Sequence, residues 1–323
     1  MEELWVEKYR PKVLTDIVGN HEIINEFKII SKNGNIPHMI LSGTPGTGKT
    51  TSILCLAKIL LKEKFHSAFI ELNASDERGI EVVRNKIKSF CKKKSILPPN
   101  SHKIIFLDEA DSMTKAAQQA LRRIIELYTS STRFVMACNN SSNIIEAIQS
   151  RCSVKKFSHI DRDSMKHRLA YICDNENKEY TDEGLYKLID SSHGDMRKVV
   201  SYLQSICTVY DMVDKKNVMN IIDMPDLVMI NNLIRYCLNC DFENAENSLH
   251  DLLKSGYSSL DIVQAMFENI KSMKITDESH IDTYQKLQII SEIGKIEMFL
   301  LQGCDSYLQL YALVSRIIIL MEE

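Results

Sequence analysis

The 323-residue sequence lacks the features of secreted, membrane-spanning and disulfide-rich proteins. It contains neither an apolar run long enough to cross a bilayer nor a segment that resembles a signal peptide, so we expect neither a membrane span nor secretion. Its nine cysteines follow no regular spacing, which predicts reduced thiols in an intracellular compartment. The close pair Cys237 and Cys240 has no second pair nearby, so free thiols are favoured over a zinc site.

The sequence also lacks a strong charge imbalance and obvious linkers. The formal net charge is −3, so the chain as a whole is not attracted to nucleic acid, and any such contact needs a local basic patch. No Gly/Ser-rich linker or low-complexity tract separates one part from the next. Because the chain is longer than one hydrophobic core usually requires, we expect two or three domains.

The most informative stretch that is present, residues 41–51 (LSGTPGTGKTT), fits the phosphate-loop pattern Gly-x-x-x-x-Gly-Lys-Thr. It follows a short apolar run and precedes a helical pattern, which favours a phosphate-binding loop over a structural glycine turn. Backbone N–H groups and the positive end of the helix would converge on phosphate oxygens. Lys49 would reach the β- and γ-phosphates, and the Thr50 hydroxyl would ligate Mg²⁺. The predicted nucleotide-binding residues of this loop are Gly43, Thr44, Pro45, Gly46, Thr47, Gly48, Lys49, Thr50 and Thr51.

A second stretch, residues 104–111 (IIFLDEAD), is an apolar run that ends in adjacent carboxylates. Asp108 would hold the Mg²⁺ shell, while Glu109 would orient and deprotonate the attacking water. A solvated strand end is the structural alternative, but the position after a buried-strand pattern favours catalysis. Asn139 ends the next strand pattern and would bind that water or the γ-phosphate. Asn140 is a candidate for the same role, unless both asparagines form a turn.

Short apolar runs alternate with amphipathic helices as far as residue 157, which predicts an α/β fold. In such a fold a parallel sheet is flanked by helices, and ligands bind at the carboxyl ends of the strands. The predicted strands are residues 38–42, 68–73, 103–108, 133–138 and 153–157. Beyond residue 161 the strand signals stop and helical periods continue. The predicted helices there are residues 161–175, 181–191, 195–210, 217–222, 227–238, 242–254, 259–272, 283–302 and 306–321.

Together these stretches resemble a small subunit of replication factor C, the eukaryotic sliding-clamp loader of the AAA+ ATPase superfamily. In chain order they are WVEKYRP, DIVGN, PHMILSGTPGTGKTT, ELNASDERGIEVVRNKIKSF, HKIIFLDEADSMT, AQQALRR, RFVMACN, IIEAIQSRC and GDMRK. Two further stretches, YTDEGL and MPDLVMINNLI, look most like the 40-kDa branch of the small subunits. The resemblance implies an AAA+ P-loop core at residues 1–160, an all-α lid at residues 161–224 and an all-α collar domain at residues 225–323.

The resemblance also implies roles that spacing leaves open. Asn139 matches a first sensor of the γ-phosphate, and Arg197 matches a second sensor in the lid. Arg151 matches an arginine finger that reaches the ATP of a neighbouring subunit. The residues that match the adenine pocket of relatives are Val6, Tyr9, Arg10, Pro11 and Val18. Composition alone leaves this N-terminal segment as an ordinary arm packed on the core.

A basic strip supports a role in DNA binding. Arg84, Lys88 and Lys92 recur at every fourth residue of a predicted helix, a pattern that by itself favours a solvated face. The resemblance implies instead that Ile80, Arg84 and Lys88 face a central duplex. Contacts to phosphates there would read the shape of the backbone without the base sequence.

The implied function is an ATP-driven clamp loader that uses ATP and Mg²⁺ in DNA replication and repair. The implied partners are other clamp-loader subunits in a heteropentamer, the sliding clamp (PCNA) and primer–template DNA, and the implied location is the nucleus. One alternative is a Holliday-junction or replicative helicase motor, which should add a winged helix or translocating hairpins that are not evident here. The other is a non-hydrolysing scaffold subunit, against which the intact Lys49, Asp108, Glu109 and Arg151 argue.

Overall fold

The computed structural model describes residues 3–74, 80–93, 101–192, 194–221, 225, 227–273, 282–304 and 306–322. By its internal contacts the chain divides into two compact units, Met1–Ile221 and Ile222–Glu323. No helix within the described residues combines the length and the apolar composition that are needed to cross a membrane. The division into core, lid and collar remains a prediction, because the contacts separate the chain only at the start of the expected collar.

The first unit is built around a parallel sheet. Its strands are β1 Met39–Gly43, β2 Phe69–Asn73, β3 Lys103–Asp108, β4 Thr132–Cys138 and β5 Ser153–Phe157. They pair side by side in the order β2-β3-β4-β1-β5, and each pairing is parallel. The five predicted strands are confirmed, each to within one residue at either end.

Two helices of the first unit precede its first strand, the others follow strands along the chain, and several are short. They are α1 Trp5–Lys8, α2 His21–Asn33, α3 Lys49–Leu61, α4 Phe65–Ala68, α5 Ile80–Lys92, α6 Lys115–Tyr128, α7 Glu146–Gln149, α8 Arg162–Asn175, α9 Asp182–Asp190, α10 Met196–Val209 and α11 Lys215–Ile221. Threonine or aspartate side chains cap the first turns of α6, α8, α9 and α10, which explains where these helices begin.

The sheet buries both faces, because successive side chains of a strand point in opposite directions. Met39 and Leu41 of β1 enter a hydrophobic cluster with α2 and α3. Ile40, between them, enters a second cluster with α5 and α6. Strands β3 and β4 alternate in the same way. Continuous apolar runs are therefore what these central strands require, and such runs are what made them recognisable.

Two short strands were missed by the sequence analysis, which expected no strand beyond residue 161. Two-residue strands β6 Glu179–Tyr180 and β7 Met212–Val213 pair in parallel within this otherwise helical region. A salt bridge of 3.1 Å between Lys178 and Asp211 lies directly beside the pair. Strands this short cannot show a period-two pattern, so no sequence signal marked them.

The second unit is a bundle of helices around its own core. The helices are α12 Leu227–Leu238, α13 Phe242–Lys254, α14 Ser259–Ser272, α15 Thr283–Leu301 and α16 Tyr307–Glu322. Capping boxes at Ser258 and Asp282 begin α14 and α15. Cys237 lies fully buried in the hydrophobic core of this unit, and burial raises the pKa of its thiol to about 12.

Helix α5, the predicted DNA-facing helix, is anchored at its C-terminal end by a buried lysine from the sheet. Lys103 is only 4% exposed, and its ammonium donates hydrogen bonds to the carbonyl oxygens of Phe90 (2.8 Å), Cys91 (3.1 Å) and Lys93. These carbonyls lie at the end of the helix, where a cation is electrostatically favoured. Ile87 is buried beneath the helix, whereas the side chains of residues 80–84 lie outside the described set.

We expect Lys103→Met to lower the free energy of unfolding by about 1–3 kcal/mol, because it removes a charged donor from buried carbonyls. Denaturation of the full chain by urea, followed by circular dichroism, measures this change. Lys156→Met on β5 is the matched control, because that lysine is exposed. Equal unfolding midpoints for the two variants would contradict the anchoring role of Lys103.

Candidate active site

One cleft in the first unit gathers most of the predicted site residues. It opens at the carboxyl ends of β1, β3 and β4, which are neighbours in the sheet. The predicted residues that line it are Val6, Tyr9, Arg10, Pro11, Val18, Pro45, Gly46, Thr47, Gly48, Lys49, Thr50, Thr51, Asp108, Glu109, Asn139 and Arg197. Gly43 and Thr44 contribute through their carbonyl groups, while Arg151 and Lys88 lie outside the lining.

The loop between β1 and α3 folds around the Lys49 ammonium. Lys49 Nζ donates hydrogen bonds to the carbonyl oxygens of Gly43 (2.7 Å) and Thr44 (2.8 Å). The Thr47 hydroxyl also donates to the Thr44 carbonyl, at 2.8 Å, which tightens the turn. Burial lowers the pKa of Lys49, and the charge of Asp108 partly opposes this shift. A partly desolvated ammonium at the start of a helix is well suited to bind an anion.

Thr50 and Asp108 join the phosphate loop to the end of β3. The Thr50 hydroxyl donates to Asp108 Oδ2 at 3.0 Å, although the two residues are far apart in sequence. A hydroxyl and a carboxylate side by side are oxygen ligands of the kind that Mg²⁺ prefers. Among the described residues no group of three or more His, Cys, Asp or Glu side chains gathers to hold a metal. By the chemistry of its oxygens, the Thr50–Asp108 pair fits a Mg²⁺ ion that would take its other ligands from phosphate and water.

Glu109 has an unusual backbone conformation for a residue with a long side chain. Its φ angle is +51°, in the left-handed region, and its N–H donates to Asp108 Oδ1 at 2.9 Å. Such conformations cost free energy outside glycine and persist where the surroundings enforce them. Here the turn places adjacent carboxylates on the lining of the same cleft.

Asn139 and Asn140 have different surroundings in the structure. Asn139 lines the cleft, and its backbone N–H donates to Asp111 Oδ2 at 3.0 Å. The Asn140 side chain instead accepts a hydrogen bond from Ser142 N at 2.9 Å and begins a short turn. The turn alternative therefore holds for Asn140, while Asn139 remains available to a ligand.

The N-terminal segment, which is part of the first unit, packs against α8 and also lines the cleft. Glu176, at the end of α8, accepts hydrogen bonds from the Lys8 ammonium at 2.6 Å and from the Tyr9 hydroxyl at 2.5 Å. Burial and the hydrogen bond to Glu176 raise the pKa of Tyr9, while the hydrogen bonds from Lys8 and Tyr9 lower the pKa of Glu176. Arg168 Nη2 donates to the Tyr9 carbonyl at 2.7 Å and also lines the cleft.

Arg168 and Glu176 were missed by the sequence analysis. Both lie in or at the end of α8, where their spacing forms no recognisable motif. Both hold Tyr9, which lies far away in the sequence, through hydrogen bonds. Cys138 also lines the cleft without having been predicted, and burial raises the pKa of its thiol to about 11. A thiol with so high a pKa stays protonated at neutral pH and is a poor nucleophile.

Arg197, the predicted second sensor, and Arg151, the predicted arginine finger, have different surroundings. Arg197 lies in the first turn of α10 and lines the cleft, and its positive charge contributes to the lowered pKa of Lys49. Arg151 pairs with Glu126 at 2.8 Å and donates to the Ala147 carbonyl at 2.7 Å. The structure therefore brings Arg197, and not Arg151, to the cleft of its own chain.

Comparisons with known protein families agree with this arrangement. Residues 39–159 match the family described as "ATPase family associated with various cellular activities (AAA)". Residues 225–316 match the "Replication factor C C-terminal domain". The fold and the cleft of the first unit are thus those of a nucleotide-binding AAA ATPase domain.

Full-length relatives define the family more narrowly. Replication factor C subunit 4 of Schizosaccharomyces pombe is 49% identical over 97% of this chain and 90% of its own length. Subunit 4 of Saccharomyces cerevisiae is 47% identical over 97% and 95%, and subunit 2 of Arabidopsis thaliana is 45% identical over 99% and 94%. The chain belongs to the small subunits of replication factor C and is a clamp-loader subunit in DNA replication.

Solved structures support the fold alone. The RuvB Holliday-junction branch migration motor of Thermotoga maritima superposes with a TM-score of 0.56, covering 72% of this chain and 79% of its own. Its sequence identity is only 16%, so the likeness extends to the architecture and gives no support to the helicase alternative.

Proposed function

We propose that this subunit binds ATP with Mg²⁺ in the cleft and hydrolyses it within a heteropentameric ring. Ring closure on the sliding clamp (PCNA) and primer–template DNA would follow ATP binding, and hydrolysis would release the loaded clamp in the nucleus. The observation that carries this proposal is the meeting of Lys49, Thr50, Asp108, Glu109 and Asn139 in one cleft. A lid at residues 161–224 and a collar at residues 225–323 complete the proposed organisation.

The proposed roles follow from the chemistry of each group. Lys49 and the loop N–H groups bind the phosphates, and Thr50 with Asp108 holds Mg²⁺, which neutralises phosphate charge when bound. Glu109 accepts the proton of the attacking water, and Asn139 orients that water. The adenine would lie against the proposed pocket residues Val6, Tyr9, Arg10, Pro11 and Val18, all of which line the cleft.

Lys49→Ala should weaken ATP binding by about tenfold or more. Glu109→Gln should keep ATP binding and lower turnover at this subunit's own site in the reconstituted ring by about 10²-fold or more. Binding is measured by titration calorimetry and turnover by phosphate release. Lys156→Ala, an exposed lysine on β5, is the control for a lost charge. Full turnover in a ring with Glu109→Gln would instead favour the non-hydrolysing scaffold.

Arg151 is proposed to act on the nucleotide of a neighbouring subunit. Its guanidinium lies outside the cleft of its own chain, and its side chain is 39% exposed. Glu126 and the Ala147 carbonyl hold it in a defined orientation at the surface. An arginine supplied in trans stabilises transition-state charge only when the subunits assemble, which ties hydrolysis to the ring.

Arg151→Ala should leave nucleotide affinity of the isolated chain unchanged and lower ATP turnover of the reconstituted ring. Arg122→Ala is a close control, because Arg122 pairs with the same Glu126 carboxylate at 3.1 Å and is equally exposed. The comparison uses steady-state hydrolysis with saturating primer–template DNA and clamp. An equal loss in the two variants would show that the effect comes from Glu126 pairing and would contradict a role in trans.

Helix α5 is proposed to contact DNA through Ile80, Arg84 and Lys88. The side chains of Ile80 and Arg84 lie outside the described residues, whereas Lys88 is half-buried on the helix that Lys103 anchors. A lysine that holds a phosphate releases about one counterion from DNA on binding. Loss of this contact should therefore reduce the salt dependence of DNA binding by a predictable amount.

Lys88→Ala should weaken DNA binding by the reconstituted loader and reduce the slope of log K against log salt by about one. Fluorescence anisotropy with labelled primer–template DNA over a series of salt concentrations measures both quantities. Lys58→Ala is the control, because this exposed lysine lies on α3, which covers the other face of the sheet. An unchanged slope for Lys88→Ala would rule out the phosphate contact.

A further inference from the structure

The phosphate loop touches the first turn of α10 through an unusually close contact between Gly46 and Asp195. A Cβ atom at Gly46 would lie 1.8 Å from Asp195 Oδ1 and 2.4 Å from the carboxyl carbon, so no side chain fits there. Gly46 also has a φ angle of +73°, which disfavours other residues. The glycine thus allows a carboxylate to lie directly against the loop.

The same carboxylate oxygen holds the start of α10. Asp195 Oδ1 accepts hydrogen bonds from the backbone N–H groups of Arg197 (2.8 Å) and Lys198 (3.2 Å). Aspartate is among the best residues for capping a helix in this way. Asp195 therefore cannot turn away from the loop without releasing the cap of the helix that carries Arg197.

Charged side chains around the loop determine how this contact affects a bound nucleotide. Lys49 and Arg197 supply positive charge to the cleft, and both would attract the phosphates of a nucleotide. Asp195, the cap of α10, adds a negative charge beside the loop at Gly46. A nucleoside diphosphate bound by the N–H groups of this loop would be repelled by the carboxylate that lies against Gly46.

We propose that the Asp195 carboxylate opposes the phosphates of bound nucleotide, lowers the affinity of the site for ADP and ATP, and so speeds the release of ADP. The proposal rests on the nucleotide site proposed above. Arg197 lies in the same turn as Asp195. The attraction of phosphate to Arg197 and its repulsion by Asp195 therefore act on one end of α10. Bound phosphate then attracts Arg197 and repels Asp195, the residue that caps the same helix. The position of α10 therefore depends on whether nucleotide is bound.

The test removes the charge and keeps the cap. Asparagine and serine both cap helices, so Asp195→Asn and Asp195→Ser should preserve α10. Each should bind ADP about three- to tenfold more tightly at low salt, the effect of a partly screened unit charge. Titration calorimetry with ADP on the full chain measures the dissociation constants, and the gain should shrink as salt is raised. Thermal unfolding of each variant verifies the fold.

Asp161→Asn is the matched control, because Asp161 caps α8 in the same way, accepting from Ser164 N at 2.9 Å, whereas Asp195 is the cap that lies against Gly46 of the phosphate loop. ADP affinity should be unchanged there. An unchanged or weaker affinity in both Asp195 variants would overturn the proposal, as would a gain confined to asparagine, whose amide can donate a new hydrogen bond. If Lys49→Ala leaves ADP affinity intact, the nucleotide site itself is wrong and the Asp195 proposal falls with it. Failure of the Asp195 variants alone leaves that site standing.

Discussion

The backbone of the phosphate loop must leave the end of β1 and enter α3 within a few residues, and the neighbouring elements close tightly around it. A Cβ atom at Gly43 would lie 2.4 Å from the carbonyl oxygen of Phe157 at the end of β5, and one at Gly46 would meet Asp195. The glycines therefore do more than permit a turn. They allow a sheet strand and a distant helix to approach the loop, and these approaches define the cleft.

The order of the strands explains why the chemistry gathers at this loop. Strands β3, β4 and β1 lie side by side, so their carboxyl ends meet at one edge. Asp108 reaches Thr50 across this edge at 3.0 Å, and Asn139 follows the strand between them. Because the strands are parallel, groups separated by long stretches of sequence become neighbours without any of the strands having to bend.

The two arginines show how a shared site differs from a self-contained one. Arg197 is carried on a helix whose cap touches the phosphate loop, so it belongs to the same cleft as Lys49. Arg151 is held at the surface by Glu126, away from that cleft. Under the proposed function, a subunit built in this way would bind nucleotide with its own residues and would depend on neighbouring subunits for the timing of hydrolysis.

Much of this protein could be predicted from the sequence, because the determining signals are local. Apolar runs marked all five strands of the large sheet, and the spacing of Gly43, Gly48 and Lys49 marked the phosphate loop. Family resemblance added Arg197 and the N-terminal segment, which line the cleft, while the role of Arg151 stays a prediction. These features depend on residue types at fixed short spacings, which a single sequence displays directly.

Only the tertiary structure decided the contacts between residues that are far apart in the chain. Four such contacts leave no periodic or spaced pattern in the sequence. They are the pairing of β6 with β7, the hydrogen bond from Arg168 to Tyr9, the hydrogen bond from Tyr9 to Glu176 and the contact of Asp195 with Gly46. Each depends on how helices pack against the loop, and packing is determined by the whole chain at once. The sequence by itself determined where the predicted nucleotide site lies, and the fold decided which distant side chains surround it.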